Sequence, residues 1–93
     1  MYHKQSKAVL VVLNDKGLHT RPSTELVKCA SRFKATITLS YRTFSVNAKS
    51  LLGVLMLAAE RGAKLTLTAE GSDAEIAVAS LIQLAKNRFN IHF

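Results

Sequence analysis

One short segment of the chain brings together residues that could bind and transfer an anion. Gly17–Pro22, which reads GLHTRP, follows an apolar, strand-like run over residues 8–13 and leads into a helical pattern that begins at Pro22. The first backbone N–H groups of a helix have no intrahelical partner and form the positive end of the helix dipole, so this junction suits a phosphate. The imidazole of His19 could accept a phosphoryl group there, and the guanidinium of Arg21 could hold its oxygens.

A histidine that carries a phosphoryl group needs little around it. An imidazole has a neutral nitrogen available near pH 7, and such a nitrogen is a nucleophile toward phosphorus. The phosphoramidate that forms is a high-energy bond, so the group can be passed on without a general base, a metal or a substrate pocket. The six acidic residues are scattered, and no spacing typical of a metal site occurs. We therefore expect a carrier and not an enzyme, with no metal and no cofactor; an ordinary loop histidine is the alternative.

At these residues the chain resembles HPr, the histidine phosphocarrier family of the bacterial sugar phosphotransferase system. Gly17–Pro22 looks like the active-site motif of that family, and Lys49–Val54 looks like its regulatory-serine segment, particularly in Gram-positive-type systems. A third similar segment runs over Arg61–Gly71, and the resemblance covers roughly residues 6–88. It implies that His19 is the phosphoryl acceptor and that Arg21 stabilises the phosphate.

Two residues beside His19 have structural alternatives. We expect the side chain of Thr20 to cap the first helix, and the backbone N–H groups of Thr20 and Arg21 to bind the phosphate. An arginine at a helix N-terminus is electrostatically unfavourable, which indicates that Arg21 is present for an anion. The alternative for Arg21 is a solvated first-turn side chain.

Ser50 precedes a second apolar helical run and has two interpretations. A serine in this position is a common helix N-cap. The resemblance implies that it is also the regulatory phosphorylation site, and both roles can hold together. Leu51, Leu52 and Leu55 could form an apolar docking surface for partner proteins, although short buried helices look similar. A phosphate on Ser50 would add nearly two negative charges beside that surface and disfavour an acidic partner.

Apolar positions at strand or helix spacing predict seven elements. The last helix is predicted to begin with a capping box and to carry an apolar stripe of Ala74, Val78, Leu81 and Ala85. The first predicted element is a central strand over residues 7–13, and a helix from residue 22 follows, with its apolar stripe at 26, 30 and 33. Two strands over residues 36–41 and 43–46 then form a hairpin. They are followed by a helix over residues 50–59 that is ended by Gly62, a strand over residues 63–69, and the last helix after the capping box at 72–75.

The order βαββαβα predicts a two-layer α+β domain. The resemblance implies an open-faced β-sandwich, in which a four-stranded antiparallel sheet has three helices on one face. We expect a single domain over residues 1–93, which acts as a monomer. No apolar run approaches the length of about 20 residues that a membrane-spanning helix needs, so membrane insertion is not expected. Cys29 is the only cysteine, which fits a reducing cytoplasm and a small core residue.

The net charge of +7 leaves the class of partner open. The 13 basic residues are spread from Lys4 to Arg88 without a run and without interleaved aromatics, so no nucleic-acid motif is evident and no nucleic-acid partner is expected. The charge could instead steer the protein toward acidic proteins. A small basic nucleic-acid-binding domain remains the third interpretation.

The resemblance implies a phosphocarrier that accepts a phosphoryl group from enzyme I and passes it to sugar-specific enzyme IIA domains. An HPr kinase and a transcription regulator would be further partners where the organism has them. The alternative is an HPr-like regulatory protein in carbon or nitrogen control, switched by phosphorylation of a serine.

Overall fold

A computed structural model describes residues 4–91, so the ends of the expected domain at residues 1–3 and 92–93 lie outside the described residues. The elements follow the predicted order βαββαβα and end in a short additional turn. They are β1 (Gln5–Val11), α1 (Thr20–Ala30), β2 (Thr36–Tyr41), β3 (Phe44–Asn47), α2 (Leu51–Met56), β4 (Lys64–Glu70), α3 (Ala74–Lys86) and a C-terminal 3-10 turn (Arg88–Asn90).

The strands form one sheet in the order β1-β4-β2-β3, and every neighbouring pair is antiparallel. Side chains alternate between the two faces of a strand, and the apolar ones lie on the inner face. With the three helices on that face, the molecule is the expected α+β open-faced sandwich. The buried inner-face residues are Leu10, Ile37, Leu39, Leu65, Leu67 and Ala69.

The helices complete the core with the stripes that their spacing predicts. Leu26, Cys29 and Ala30 of α1 are buried, although the helix ends at Ala30 and Phe33 is only partly buried in the following turn. The stripe of α3 is buried as predicted, and α3 packs against β1 and β4. Its buried residues are Ala74, Ala77, Val78, Leu81 and Ala85.

The prediction that the first strand is central is wrong, because β1 pairs only with β4 and lies at an edge. Its apolar run is buried on alternate residues: Leu10 and Val12 face the core, whereas Val9 is 58% exposed. The strand also begins and ends two residues earlier than predicted, over Gln5–Val11. A continuous apolar run can therefore belong to an edge strand of a sheet that is covered on one face only.

The second helix is shorter than predicted. It ends at Met56, and Ala58 takes the left-handed conformation with a φ of 49°, so Gly62 is not its C-terminal glycine. Gly62 instead lies in the turn before β4, with a φ of 86°. The apolar residues at 57 and 59 are buried in the connection between α2 and β4, which explains why the pattern resembled a continued helix.

The predicted capping box of the last helix is also wrong. Asp73, and not Ser72, is the N-cap of α3, and its side chain does not cap the helix. The carboxylate instead accepts hydrogen bonds from the backbone N–H groups of Lys34 and Ala35, both at 2.8 Å. These bonds, that of Lys34 foremost, hold the pKa of Asp73 below its usual value. A side chain at the start of α3 thereby fixes the turn between α1 and β2.

Within residues 4–91, no helix has both the length and the apolar character to cross a membrane. The same residues contain no group of three or more His, Cys, Asp or Glu side chains that could hold a metal ion.

Candidate functional site

The loop between β1 and α1 carries the predicted phosphoryl acceptor and is hydrogen-bonded at both ends. Where it leaves the sheet, the N–H of Val12 donates to the Ala63 carbonyl at 3.0 Å, and the Val12 carbonyl accepts from the N–H of Gly62 at 2.7 Å. Inside the loop, the N–H of Gly17 donates to the Asn14 carbonyl at 2.9 Å. The loop is therefore a turn with fixed ends.

Gly17 allows this loop to lie directly against the segment that follows α2. Its φ of 68° is in the left-handed region, and a Cβ here would overlap the Ala59 carbonyl oxygen and lie 2.9 Å from Cα of Glu60. The next residue completes the contact, because the N–H of Leu18 donates to that same carbonyl at 2.9 Å. Only glycine satisfies both the conformation and the approach at residue 17.

His19 is the N-cap of α1, so the helix begins at Thr20 and not at Pro22. The backbone of His19 is extended, with φ of −75° and ψ of −171°, and its carbonyl accepts the first helical bond, from the N–H of Ser23 at 3.0 Å. The buried hydroxyl of Ser23 donates back to the Leu18 carbonyl at 2.8 Å. These bonds hold the residues on both sides of the imidazole.

The expectation that Thr20 caps the helix is wrong. Thr20 is the first helical residue, and its carbonyl accepts a hydrogen bond from the Thr24 hydroxyl at 2.8 Å. The cap position is decided by backbone conformation, and the contact of Leu18 with the segment after α2 makes His19 the last extended residue. The side chain of His19 itself makes no capping bond, and its Nε2 is buried while the residue as a whole is partly exposed.

The two residues expected to bind phosphate lie at the start of α1. Thr20 and Arg21 are both exposed, and their backbone N–H groups precede the first helical bond, which Ser23 makes. Pro22 is buried at the third helical position, where it supplies no N–H and fits the helical φ. The start of α1 therefore carries His19, Thr20 and Arg21 in three consecutive positions, beside backbone N–H groups that precede the first helical bond.

A surface depression of about 600 Å³ lies beside His19. The loop forms one side of it, and the other side is formed by Leu55 and by residues 58–61. Arg61 and Asp15 face each other across it at 3.5 Å, but both side chains are well exposed, so this pair contributes at most about 1 kcal/mol to stability. Lys16 also lines the depression. Sequence reasoning missed Lys16 and Arg61, because only the fold brings residue 61 to the loop.

Ser50 has the structural role that its position predicts. It is the N-cap of α2, and its Oγ accepts a hydrogen bond from the N–H of Gly53 at 3.1 Å. The residue is partly exposed, and the hydrogen bond that its hydroxyl oxygen accepts is partly buried.

The expected docking residues form most of an exposed apolar face on α2. Leu52 is 70% exposed and Leu51 is 37% exposed, whereas Leu55 is partly buried beside the loop. Met56, which sequence reasoning missed, is 69% exposed and follows Leu52 by four residues on the same side of the helix. Val54 is the residue by which α2 joins the core.

Comparison with known proteins gives one consistent result. Residues 6–87 match the family model described as "PTS HPr component phosphorylation site". The phosphocarrier protein HPr of Xylella fastidiosa (strain 9a5c) is 42% identical over 81 residues, which are 87% of this chain and 91% of that protein. HPr of Treponema pallidum (strain Nichols) is 44% identical over 78 residues, 84% of this chain and 89% of that protein. The crystal structure of HPr-C-His from Thermoanaerobacter tengcongensis superposes with a TM-score of 0.89 at 33% identity, over 95% of this chain and 99% of that one.

Proposed function

This chain belongs to the HPr family of phosphocarrier proteins, and we propose that His19 accepts a phosphoryl group from enzyme I and passes it to enzyme IIA domains. The observation that carries the proposal is the position of a partly exposed imidazole at the N-cap of α1. A phosphoryl group on this side chain would meet the positive end of the helix dipole, which stabilises an anion.

The orientation of the imidazole supports transfer through one of its two nitrogens. Nε2 of His19 is buried, so Nδ1 is the nitrogen that an incoming phosphoryl group could reach. In the neutral ring that reacts, the proton is then on Nε2 and the lone pair on Nδ1. The Nδ1–P bond forms while the bond between phosphorus and the donor breaks, and the donor keeps the electron pair of the broken bond. Delivery to the next protein repeats this exchange, with His19 as the leaving group.

The groups around His19 have separate roles in this proposal. The backbone N–H groups at the start of α1 and the guanidinium of Arg21 stabilise the phosphoryl oxygens. The exposed apolar face of α2, at Leu51 and Leu52, docks the partner proteins together with the partly buried Leu55, and Met56 extends it. Lys16 and Arg61 beside the loop favour an acidic partner surface.

We also infer that Ser50 is a regulatory phosphorylation site in an organism with an HPr kinase. Its surface position beside Leu51 and Leu52 supports this, because a phosphate there would place negative charge at the edge of the docking face. A transcription regulator that binds the modified form would be a further partner.

Labelling by enzyme I and labelled phosphoenolpyruvate tests the function. We expect the wild-type protein to take up an acid-labile, alkali-stable label, as phosphohistidine does. The variant His19→Ala should take up none, and it should remain folded because the side chain of His19 does not cap α1. The other histidines of the chain provide matched controls, since His3→Ala and His92→Ala should be labelled like the wild type. Equal labelling of His19→Ala would refute the proposal.

A further inference from the structure

The segment after α3 has an unusual backbone. Arg88, Phe89 and Asn90 are three consecutive non-glycine residues with positive φ, at 53°, 54° and 62°. Such residues normally occur singly, because the left-handed conformation brings Cβ against the backbone. A run of three persists only when the surrounding structure holds it in place.

Two kinds of contact hold this segment. Phe89 is fully buried and Ile91 nearly so, which anchors the segment by its apolar side chains. In addition, the side-chain amide of Asn14 donates to the Arg88 carbonyl at 2.9 Å and, more weakly, to the Ile91 carbonyl at 3.4 Å. Asn14 is itself fully buried, and it is separated from these residues by more than 70 positions in the sequence.

Asn14 also belongs to the loop that carries His19. Its carbonyl accepts the hydrogen bond from Gly17, and Gly17 and Leu18 lie against the Ala59 carbonyl. A shift of Asn14 would therefore be transmitted toward His19 through its hydrogen bond with Gly17, because Gly17 and Leu18 are buried and held against the Ala59 carbonyl. The side chain of Asn14 thus links the turn over residues 14–17 to the C-terminal segment by hydrogen bonds.

We propose that residues 88–91 form a clasp that positions the His19 loop through Asn14, with Phe89 as its anchor. Asn14 and Phe89 are then positioning residues for phosphoryl transfer, which act without contact to the phosphoryl group. The proposal rests on the proposed function of His19. It assigns a role to residues 88–91, whose sequence carries no motif.

Two clasp variants and one core variant test the proposal. Phe89→Leu reduces the buried side-chain volume while keeping the position apolar, and Asn14→Ala removes the side-chain amide that donates to the Arg88 and Ile91 carbonyls. Ile37→Val is the matched control, because Ile37 is equally buried but lies in β2 opposite Ala69, at the end of the sheet away from the loop. The measurements are the kcat and KM of enzyme I with each variant as substrate, at a temperature where all are folded, and the amide NMR shifts of Gly17 and Leu18.

We expect both clasp variants to lower kcat by about tenfold with KM nearly unchanged, since misplacement of reacting groups by about 1 Å can cost on the order of 100-fold in rate. The amide signals of Gly17 and Leu18 should move in both clasp variants and stay in place in Ile37→Val. A kcat equal to that of the control, or unmoved amide signals, would overturn the clasp. If Asn14→Ala does not fold, Phe89→Leu decides alone. If the wild-type protein accepts no phosphoryl group, the proposed function fails, whereas the amide shifts still decide whether the segment positions the loop.

Discussion

At the scale of single residues, the imidazole of His19 differs in the burial of its two nitrogens, since Nε2 is buried although the residue is partly exposed. The burial of Nε2 leaves Nδ1 as the reactive atom of the proposed transfer. A histidine in a mobile loop would present both nitrogens in turn. The arrangement here favours a single product, a phosphoryl group on Nδ1.

Arg21 should matter for transfer and not for folding. Arg21→Ala removes an exposed side chain, so the free energy of unfolding should change by less than about 0.5 kcal/mol. The transfer rate should fall, because the charge-assisted hydrogen bonds to the phosphoryl oxygens are lost. Rapid-quench transfer kinetics and thermal melting check both parts. Lys28→Ala, an exposed cation later in the same helix, is the control and should transfer normally. An Arg21→Ala protein that transfers at the wild-type rate would contradict the role of the guanidinium.

The sequence allowed the residue types of the site to be predicted, but not the roles that depend on distant contacts. His19, Arg21 and Ser50 lie in short sequence segments at predicted helix starts, and the helix-capping role of Ser50 is confirmed. Threonine is a favourable capping residue, so the sequence alone predicts Thr20 as the cap of α1. The contact between Leu18 and Ala59 decides the position instead, and 41 residues separate these partners.

At the scale of elements, residues 50–56 combine the cap of α2, one core residue and an exposed apolar face. So short a helix is held by its packing and its cap more than by its own propensity. Changes at its start should therefore affect docking without unfolding the protein, provided that the cap is kept.

Ser50→Asp tests this expectation. Aspartate is a good N-cap and its charge is favourable at a helix start, so the melting temperature should stay close to that of the wild type. The same charge lies beside Leu51 and Leu52 and should weaken the binding of an acidic partner, so affinity for enzyme I and the rate of His19 phosphorylation should both fall. Titration at low and moderate salt measures the effect, which should be larger at low salt. Gln5→Glu adds the same charge on the exposed surface of β1, at the opposite edge of the sheet from β3, which α2 contacts, and serves as the control. Equal affinities for the two variants would leave Ser50 as a helix cap alone.

Ala58 carries backbone strain that a substitution could remove. Its φ of 49° is unfavourable for a residue with a Cβ, by roughly 1 kcal/mol. Ala58→Gly should therefore raise the free energy of unfolding by up to about 1 kcal/mol, less the greater entropy of glycine in the unfolded chain. Denaturant titration measures the change. Ala79→Gly, at an exposed position inside α3, should have the opposite sign and cost about 1 kcal/mol. A loss of stability in both variants would show that the conformation of Ala58 is not strained.

Element identities could be predicted from periodicity, but sheet position and helix length could not. The inner faces of β2 and β4 alternate clearly, and their buried residues are those expected. The run over residues 8–13 predicts a central strand because each of its residues is apolar, yet only one face of this sheet is covered. The predicted end of α2 is wrong because the buried apolar residues at 57 and 59 continue the apolar pattern beyond Met56, although they are not helical.

At the scale of the whole molecule, folding gathers charge that is dispersed along the sequence. Seven of the 13 basic residues lie at the end of the sheet where the His19 loop is, with only two of the six acidic residues. The antiparallel topology brings basic residues from four parts of the chain to this end of the sheet, so the sequence itself shows no basic patch. The basic residues are Lys16, Arg21, Arg42, Arg61, Lys64, Lys86 and Arg88.

This uneven charge should be visible in the kinetics of association. The rate of binding to enzyme I should fall as salt is added, because long-range steering is screened within about 10 Å at 0.1 M ionic strength. Arg61→Gln should lower the association rate and its dependence on salt, whereas Lys4→Gln, at the opposite end of the sheet, should change neither appreciably. Stopped-flow association at several salt concentrations checks this. Identical behaviour of the two variants would mean that net charge, and not its position, controls the encounter.

The close backbone contact of Gly17 with the segment after α2 has a consequence for the thermodynamics of docking. A loop that must become ordered on binding loses conformational entropy at each encounter, and that loss weakens the complex. Here the loop is held by these contacts in the folded chain, so its conformational entropy is lost once, on folding, and is not lost again at each encounter. A carrier that meets a donor and then an acceptor can thus present the same geometry to both, and a small contact area suffices for productive but short-lived complexes.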